Sequence, residues 1–367
     1  MTTDTITQAS AATVEELAGR LFMEGVASFH LSTVYLGVKL GLFRAVAEQG
    51  PLTAAELATA TGLDPWYVRE WLQAETTAGL IVADDDELSG ARFTAAPGVY
   101  ETLVHETSPA YVGGLPLALG AVGGVLPNLI EAFRTGAGVP YQAYGEDAIE
   151  AQAALNRPAF TNQLVTEWLP AIPDVRARLA DTAAPARVAD IGCGLGWAAI
   201  ELAKAFPHLR VDGYDSDEES ITRARHNAAD NDVDDRIGFQ VVDAAAGGYG
   251  DQRYDVVFFF ECLHDMAHPV DALAAARRSL AEGGTVVVMD ERVAETLTPG
   301  DPTELFFATA SVLWCLPQGR VDPTSEAPGT VMRPAAFEAI ARRAGFAGVE
   351  VLPIDHPFWR FYRPLTG

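Results

Sequence analysis

The chain has 367 residues, enough for about two domains and for a core that needs neither disulfides nor metal. Hydrophobic residues make up 49% and charged residues 20%, a globular balance that excludes a disordered or fibrous polymer. The 50 acidic side chains outnumber the 25 basic ones, and the formal charge of −25 gives an average field that repels polyanions such as DNA.

The three cysteines, Cys193, Cys262 and Cys315, are too few for a disulfide framework and suit a reducing, cytoplasmic setting. The opening MTTDTITQAS has neither a basic nor an apolar leader region, so no signal peptide is expected. The uncharged stretch Ala110 to Ile130 is interrupted by Pro116, Pro127 and five glycines, which predicts buried helices lining a core or pocket and no membrane span.

Leu21 to Phe43 is apolar around most of a helical wheel, so this helix wants a partner, a core or a second subunit, and a homodimer is expected. Thr53 and Glu56 form a capping box, and Asp64-Pro65 reads as N-cap and first residue of a longer helix ending near Gly79. Ile81 to Ala95 alternates around the acidic turn Asp84-Asp85-Asp86. Helix, turn, helix and wing make a winged-helix domain over residues 1–105. Residues 1–100 carry 13 acidic and 5 basic side chains, and the second helix sets Glu70 and Glu75 against Arg69. Phosphate contacts need Lys and Arg, so a scaffold or dimerisation role is expected in place of nucleic-acid binding. Residues 106–180 read as a helical, irregular linker whose Tyr141, Tyr144, Phe160 and Trp168 are candidates for a pocket wall.

From residue 181 onward the pattern becomes strand–helix alternation. Strands are expected at Arg187–Ile191, Val211–Asp215, Ile237–Val242, Asp255–Phe260 and Gly284–Asp290, with helices between them. A final helix follows at Pro334–Ala344, then strands at Gly348–Ile354 and Phe358–Tyr362. This is the pattern of an α/β fold with an open, mainly parallel sheet, whose ligand belongs at the carboxyl ends of the strands. Where the first strand meets its helix stands Asp190-Ile-Gly192-Cys-Gly194-Leu-Gly196. Three glycines permit a sharp turn and close approach of a ligand to backbone. The spacing misses the dinucleotide fingerprint by one residue, and no Gly-Lys-Ser/Thr follows, so the loop is a poor phosphate cradle. Asp215 and Asp243 end the next two strands, and Glu261 follows the fourth. Such an acidic rim suits a ribose-bearing ligand of net positive charge.

The runs V-A-D-I-G-C-G-L-G-W, V-D-G-Y-D and V-V-D-A resemble the class I S-adenosylmethionine (SAM) dependent methyltransferases from Ala186 to the end of the chain. The winged helix before them is similar to the subgroup of small-molecule O-methyltransferases. The resemblance implies a Rossmann-like seven-stranded sheet with an antiparallel last strand. It implies that Gly192, Gly194 and Gly196 pass along the methionine end of SAM, held by Asp190. Asp215, with Ser216 beside it, would take the ribose, Asp243 and Ala244 the adenine, and Glu261 would belong to the same site. The product would be S-adenosylhomocysteine (SAH).

Leu263-His264-Asp265 resembles the segment that carries the general base in those O-methyltransferases, so transfer to oxygen with His264 as base is expected. Met266 stands where the familiar form has Trp. His268 follows four residues after His264, but Pro269 leaves little helix to pair them on a metal, and no metal is expected. Between the fifth strand and the last helix, Phe306 and Trp314 are candidates to cover an apolar acceptor. Two other outcomes stay open at this level: a winged-helix transcription regulator with a ligand-sensing domain, and a SAM-binding protein without transfer activity.

Overall fold

The structure, a computed structural model, describes residues 13–87, 90–247, 252–326 and 328–367. The opening residues read above for a leader lie outside that range. The chain divides into two units, one formed by residues up to His105 with Leu115–Gly120, the other by Glu106–Gly114 with Ala121–Gly367.

In the first unit the helices Val14–Lys39, Leu42–Gln49, Ala54–Thr61 and Pro65–Thr77 precede an antiparallel pair, β1 (Ile81–Ala83) and β2 (Phe93–Ala95). The local signals act as expected. Thr53 and Glu56 close a reciprocal capping box, and Asp64 accepts from the amides of Trp66 and Tyr67 ahead of Pro65. Phe43, Leu57, Leu72, Ile81 and Phe93 form the sealed centre of this unit. The first helix differs from expectation in extent and in burial. It starts at Val14, stops at Lys39, and buries only Val34 and Gly37, while Phe22, Met23 and Phe29 stand in the open. Glu75 is a second correction. It is fully buried, accepting from Thr33 Oγ1 at 2.6 Å and facing His30 Nε2 at 3.2 Å, so it contributes nothing to the charge of the helix surface.

Pro116 and Pro127 do not break the following segment either. Gly114–Thr135 is one continuous helix, Pro116 sitting in its first turn where no donor is needed. Leu117, Ala121, Val125 and Leu129 are buried along one face as expected, whereas Leu126, Ile130 and Phe133 on the other are exposed. Both this helix and Val14–Lys39 are long and apolar enough to cross a bilayer by length and composition.

The second unit is built on a seven-stranded sheet of β3 (Arg187–Ile191), β4 (Arg210–Asp215), β5 (Ile237–Val241), β6 (Tyr254–Phe260), β7 (Leu280–Glu291), β8 (Gly348–Val351) and β9 (Trp359–Leu365). The spatial order is β5-β4-β3-β6-β7-β9-β8, and only the β9 pairings are antiparallel. Phe258 and Phe260 feed the core on one face, Val257 and Phe259 the core on the other, as a sheet covered on both sides requires. The chain runs outward from β3 in one direction through β4 and β5, and in the other through β6 and β7. Between β3 and β6 the order reverses, which leaves a crevice at their carboxyl ends.

Candidate active site

A cavity of about 510 Å³ opens at that crevice. Its floor comes from the ends of β3, β4 and β6. Its walls come from one face of the helix Glu146–Ala159, from Tyr141 and from Trp314.

The glycine loop is a backbone device. Gly192 has φ of +68°, and a Cβ there would lie 2.6 Å from Cys262 Cβ, so this position must be glycine to pack against the thiol. Cys262 in turn donates to the Ile191 carbonyl at 3.0 Å, and burial pushes its thiol well above the usual range, which makes it a packing residue. Gly194 faces open space and donates its amide to Asp215 Oδ2 at 2.9 Å. The amide of Asp217 donates to the other oxygen, Oδ1, also at 2.9 Å. The two amides thus orient the Asp215 carboxylate while leaving a free lone pair on each oxygen.

Asp190 is 1% exposed, and its Oδ2 has no hydrogen-bond partner. Burial pushes its carboxyl up to about 7. A buried orphan acceptor at the wall of a cavity is costly unless a ligand donor meets it. Among the described residues the lining carries seven carboxyl side chains and no Lys or Arg.

Ten of the expected site residues line this one cavity: Asp190, Gly192, Gly194, Asp215, Ser216, Asp243, Ala244, Glu261, Tyr141 and Trp314. Gly196 does not. With φ of +78° it turns the chain into the helix Trp197–Ala205, and a Cβ would strike the Phe239 ring at 2.5 Å, so it serves the core. Tyr144 lies behind the wall, donating to the Leu313 carbonyl at 2.8 Å with its ring 5.2 Å from Trp314, which it braces. Phe306 is exposed on the helix Pro302–Ala310 against Phe307 and stays outside the lining. Of the other two aromatics, Phe160 reaches the cavity, while Trp168 belongs to the core with Phe361 and Trp359.

His264 is 2% exposed and is not part of the lining. Its Nδ1 sits 3.1 Å from Asp290 Oδ1, and its Nε2 3.4 Å from Asp265 Oδ1 and 3.9 Å from Glu291 Oε1. Burial alone lowers an imidazole pKa, but Asp265 and Asp290 outweigh it and hold His264 well above its ordinary value. The Nδ1 bond to Asp290 fixes the ring, while Nε2 faces Asp265 Oδ1 without a hydrogen bond between them. His268 is turned elsewhere, with Nε2 2.9 Å from Asp322, so the two histidines do not converge. His264, Asp265 and Cys315 do bring one potential ligand atom each within 4.8 Å.

The sequence reading missed Gln152 and Asn156, which line the cavity beside Ile149. Their spacing along the helix Glu146–Ala159 puts them on one face, and polar amides on an otherwise apolar face were the available signal.

Residues 184–316 match the methyltransferase domain, and residues 28–90 match the Rv2258c-like winged HTH domain. The chain is 38% identical over 104 residues to 27-O-demethylrifamycin SV methyltransferase of Amycolatopsis mediterranei. It is 25% identical over 117 residues to ajmaline N-methyltransferase of Rauvolfia serpentina. These matches take in 28% and 32% of this chain and 38% and 40% of those proteins, so the chain spans well under half the length of the curated relatives it matches. The solved structure of PigF with SAH superposes with a TM-score of 0.71 at 16% identity, over 96% of this chain and 99% of that one, a likeness of fold.

Proposed function

From the methyltransferase domain that this chain carries behind a winged-helix domain, we propose that the protein is a SAM-dependent methyltransferase acting on a small, partly apolar molecule. The observation that carries this reading is the Asp215 carboxylate, fixed by the amides of Gly194 and Asp217 at the switch point of the sheet.

The donors and acceptors present fit SAM. Asp215 has one free lone pair per oxygen for two ribose hydroxyls, with Ser216 beside it, and Asp190 Oδ2 waits for a donor. Gly192 and Gly194 leave room for the amino-acid end. Asp243 and Ala244 would meet the adenine, and Glu261 completes the rim. When bound, SAM supplies a methyl group on a sulfonium, already activated for in-line displacement. The chain's task is to align the acceptor and exclude water. Trp314, Tyr141 and Phe160 give the cavity an apolar wall for that purpose. The relatives are named for transfer to oxygen in one case and nitrogen in the other, and either atom is compatible with the domain. Transfer to oxygen with His264 as base has less support, because the imidazole is outside the lining and held by carboxylates.

The exposed apolar run of the helix Val14–Lys39 supports a homodimer, and the three unpaired cysteines support a cytoplasmic setting. In the winged helix Arg69 is paired with Glu70 at 3.0 Å, which supports a scaffold role over nucleic-acid binding. Calorimetry with SAM and SAH tests the central claim. One-to-one binding of both is expected, and binding of neither would remove it.

A further inference from the structure

The carboxyls at the cavity are not equal in what they already hold. Asp217 is satisfied by Ser220 and Gln142, and Asp322 by His268 and Thr324. Asp190, Asp215 and Asp243 are taken by the cofactor in the reading above. Glu261 and Asp265 remain, each with a buried oxygen lacking a hydrogen-bond partner, Oε2 in the first and Oδ1 in the second. Behind them Asp290 and Glu291 bring two further carboxyls, each also with an unpartnered oxygen, and the imidazole of His264 is the one basic side chain among them. The cluster therefore holds more carboxyls than its one imidazole can pair, and burial pushes those of Glu261, Asp265 and Glu291 above the usual carboxylate range, as expected of groups short of a counter-charge.

Resting on the methyltransferase reading, we propose that the acceptor is a cationic amine with an apolar body, held by Glu261 and Asp265 beside the aromatic wall, and that Glu261 takes its proton before transfer. The aromatic faces of Tyr141, Phe160 and Trp314 suit an ammonium as they suit an apolar ring. In the reaction, the ammonium gives one proton to the Glu261 carboxylate. The freed nitrogen lone pair forms the N–C bond, and the electron pair of the breaking C–S bond goes to sulfur, leaving neutral SAH. Positive charge grows on nitrogen as the methyl group arrives, and the surrounding carboxylates favour that charge. Transfer to a hydroxyl would instead place a developing oxyanion among them, which the same field opposes.

The groups around Glu261 are Asn156 on the helix Glu146–Ala159, Glu291 on β7, Trp359 on β9, and His264 three residues on. Burial pushes the Glu261 carboxyl up to about 7 against the pull of His264, which poises it to exchange a proton near neutrality.

The test uses the full chain saturated with SAH and three matched probes: benzylamine, benzyl alcohol and benzoate. Benzylamine should bind at least about tenfold more tightly than the alcohol, and benzoate should give no signal at millimolar concentration. Asp265→Asn should weaken benzylamine by about tenfold while SAH affinity stays within about twofold, and Glu261→Gln should weaken benzylamine by at least as much. Lowering the pH from about 8 to about 5.5 should weaken benzylamine in the wild type as Glu261 takes up its proton, and much less in Glu261→Gln. Benzoate or alcohol binding as well as the amine, absence of benzylamine binding, or benzylamine affinity indifferent to both substitutions would each overturn the proposal. If Glu261→Gln also lost SAH, the wild-type series and Asp265→Asn would decide. Failure of the wild type to bind SAH is a different result, and it would sink the methyltransferase reading instead.

Discussion

Glu75 in the winged-helix unit and Asp190 in the sheet unit are equally hidden, 0% and 1% exposed. Glu75 is met by a threonine hydroxyl and a histidine, whereas Asp190 keeps an oxygen with no partner. The same contrast runs through the two units. In the first, polar signals are satisfied within a turn or two, as at Thr53, Glu56 and Asp64. In the second, buried carboxyls gather around a cavity and stay short of donors. A satisfied buried acid stabilises a fold. An unsatisfied one reserves a place for a ligand.

Asp215→Ala should sharpen this contrast most. It removes both clamped oxygens, and SAH affinity should fall by roughly 30- to 200-fold, about 2–3 kcal/mol, in calorimetry. A fall below about threefold would detach Asp215 from the ribose. Gly192→Ala forces a Cβ against Cys262 at positive φ, so denaturant melts should show a loss of about 1–3 kcal/mol together with weaker SAH binding. Glu75→Ala should lower stability by about 1–2 kcal/mol through the lost contacts to Thr33 Oγ1 and His30 and the space left behind, with SAH affinity unchanged. A change in SAH affinity there would break the division between satisfied and waiting acids.

The smallest effect concerns pH. The Asp190 carboxyl sits at about 7 in the fold against an ordinary 3.8, so the native state holds a proton there that the unfolded chain has released. Its contribution is complete below about pH 4 and is lost as pH rises through about 7. Asp190→Asn should therefore flatten the decline of the ligand-free melting temperature over that window. An unchanged slope would mean that Asp190 is ionised in the fold.

Much of the molecule was legible as sequence. The alternation from Arg187 onward located every strand of the sheet to within a few residues, because a buried parallel strand must be a short apolar run. The glycine loop and Asp215 were legible because turn chemistry and strand ends are local. The capping residues of the first unit were legible for the same reason. Less legible was the fate of side chains whose role depends on distant partners. Gly196 belongs to the same triplet as Gly194, yet Phe239, on another strand, claims it for the core. His264 has the sequence context of a base, and Asp290, 26 residues on, fixes the orientation of its ring. Glu75 looked like surface charge until the helix that carries His30 and Thr33 covered it.

Local rules act over about four residues: they fix where helices start, where glycine is needed and which strands are buried, and the chain carries them wherever it goes. Whether a polar atom ends up paired, stranded or clasped depends on what comes to lie beside it from elsewhere in the chain. Only folding brings those groups together, and their mutual desolvation sets the charge of the site.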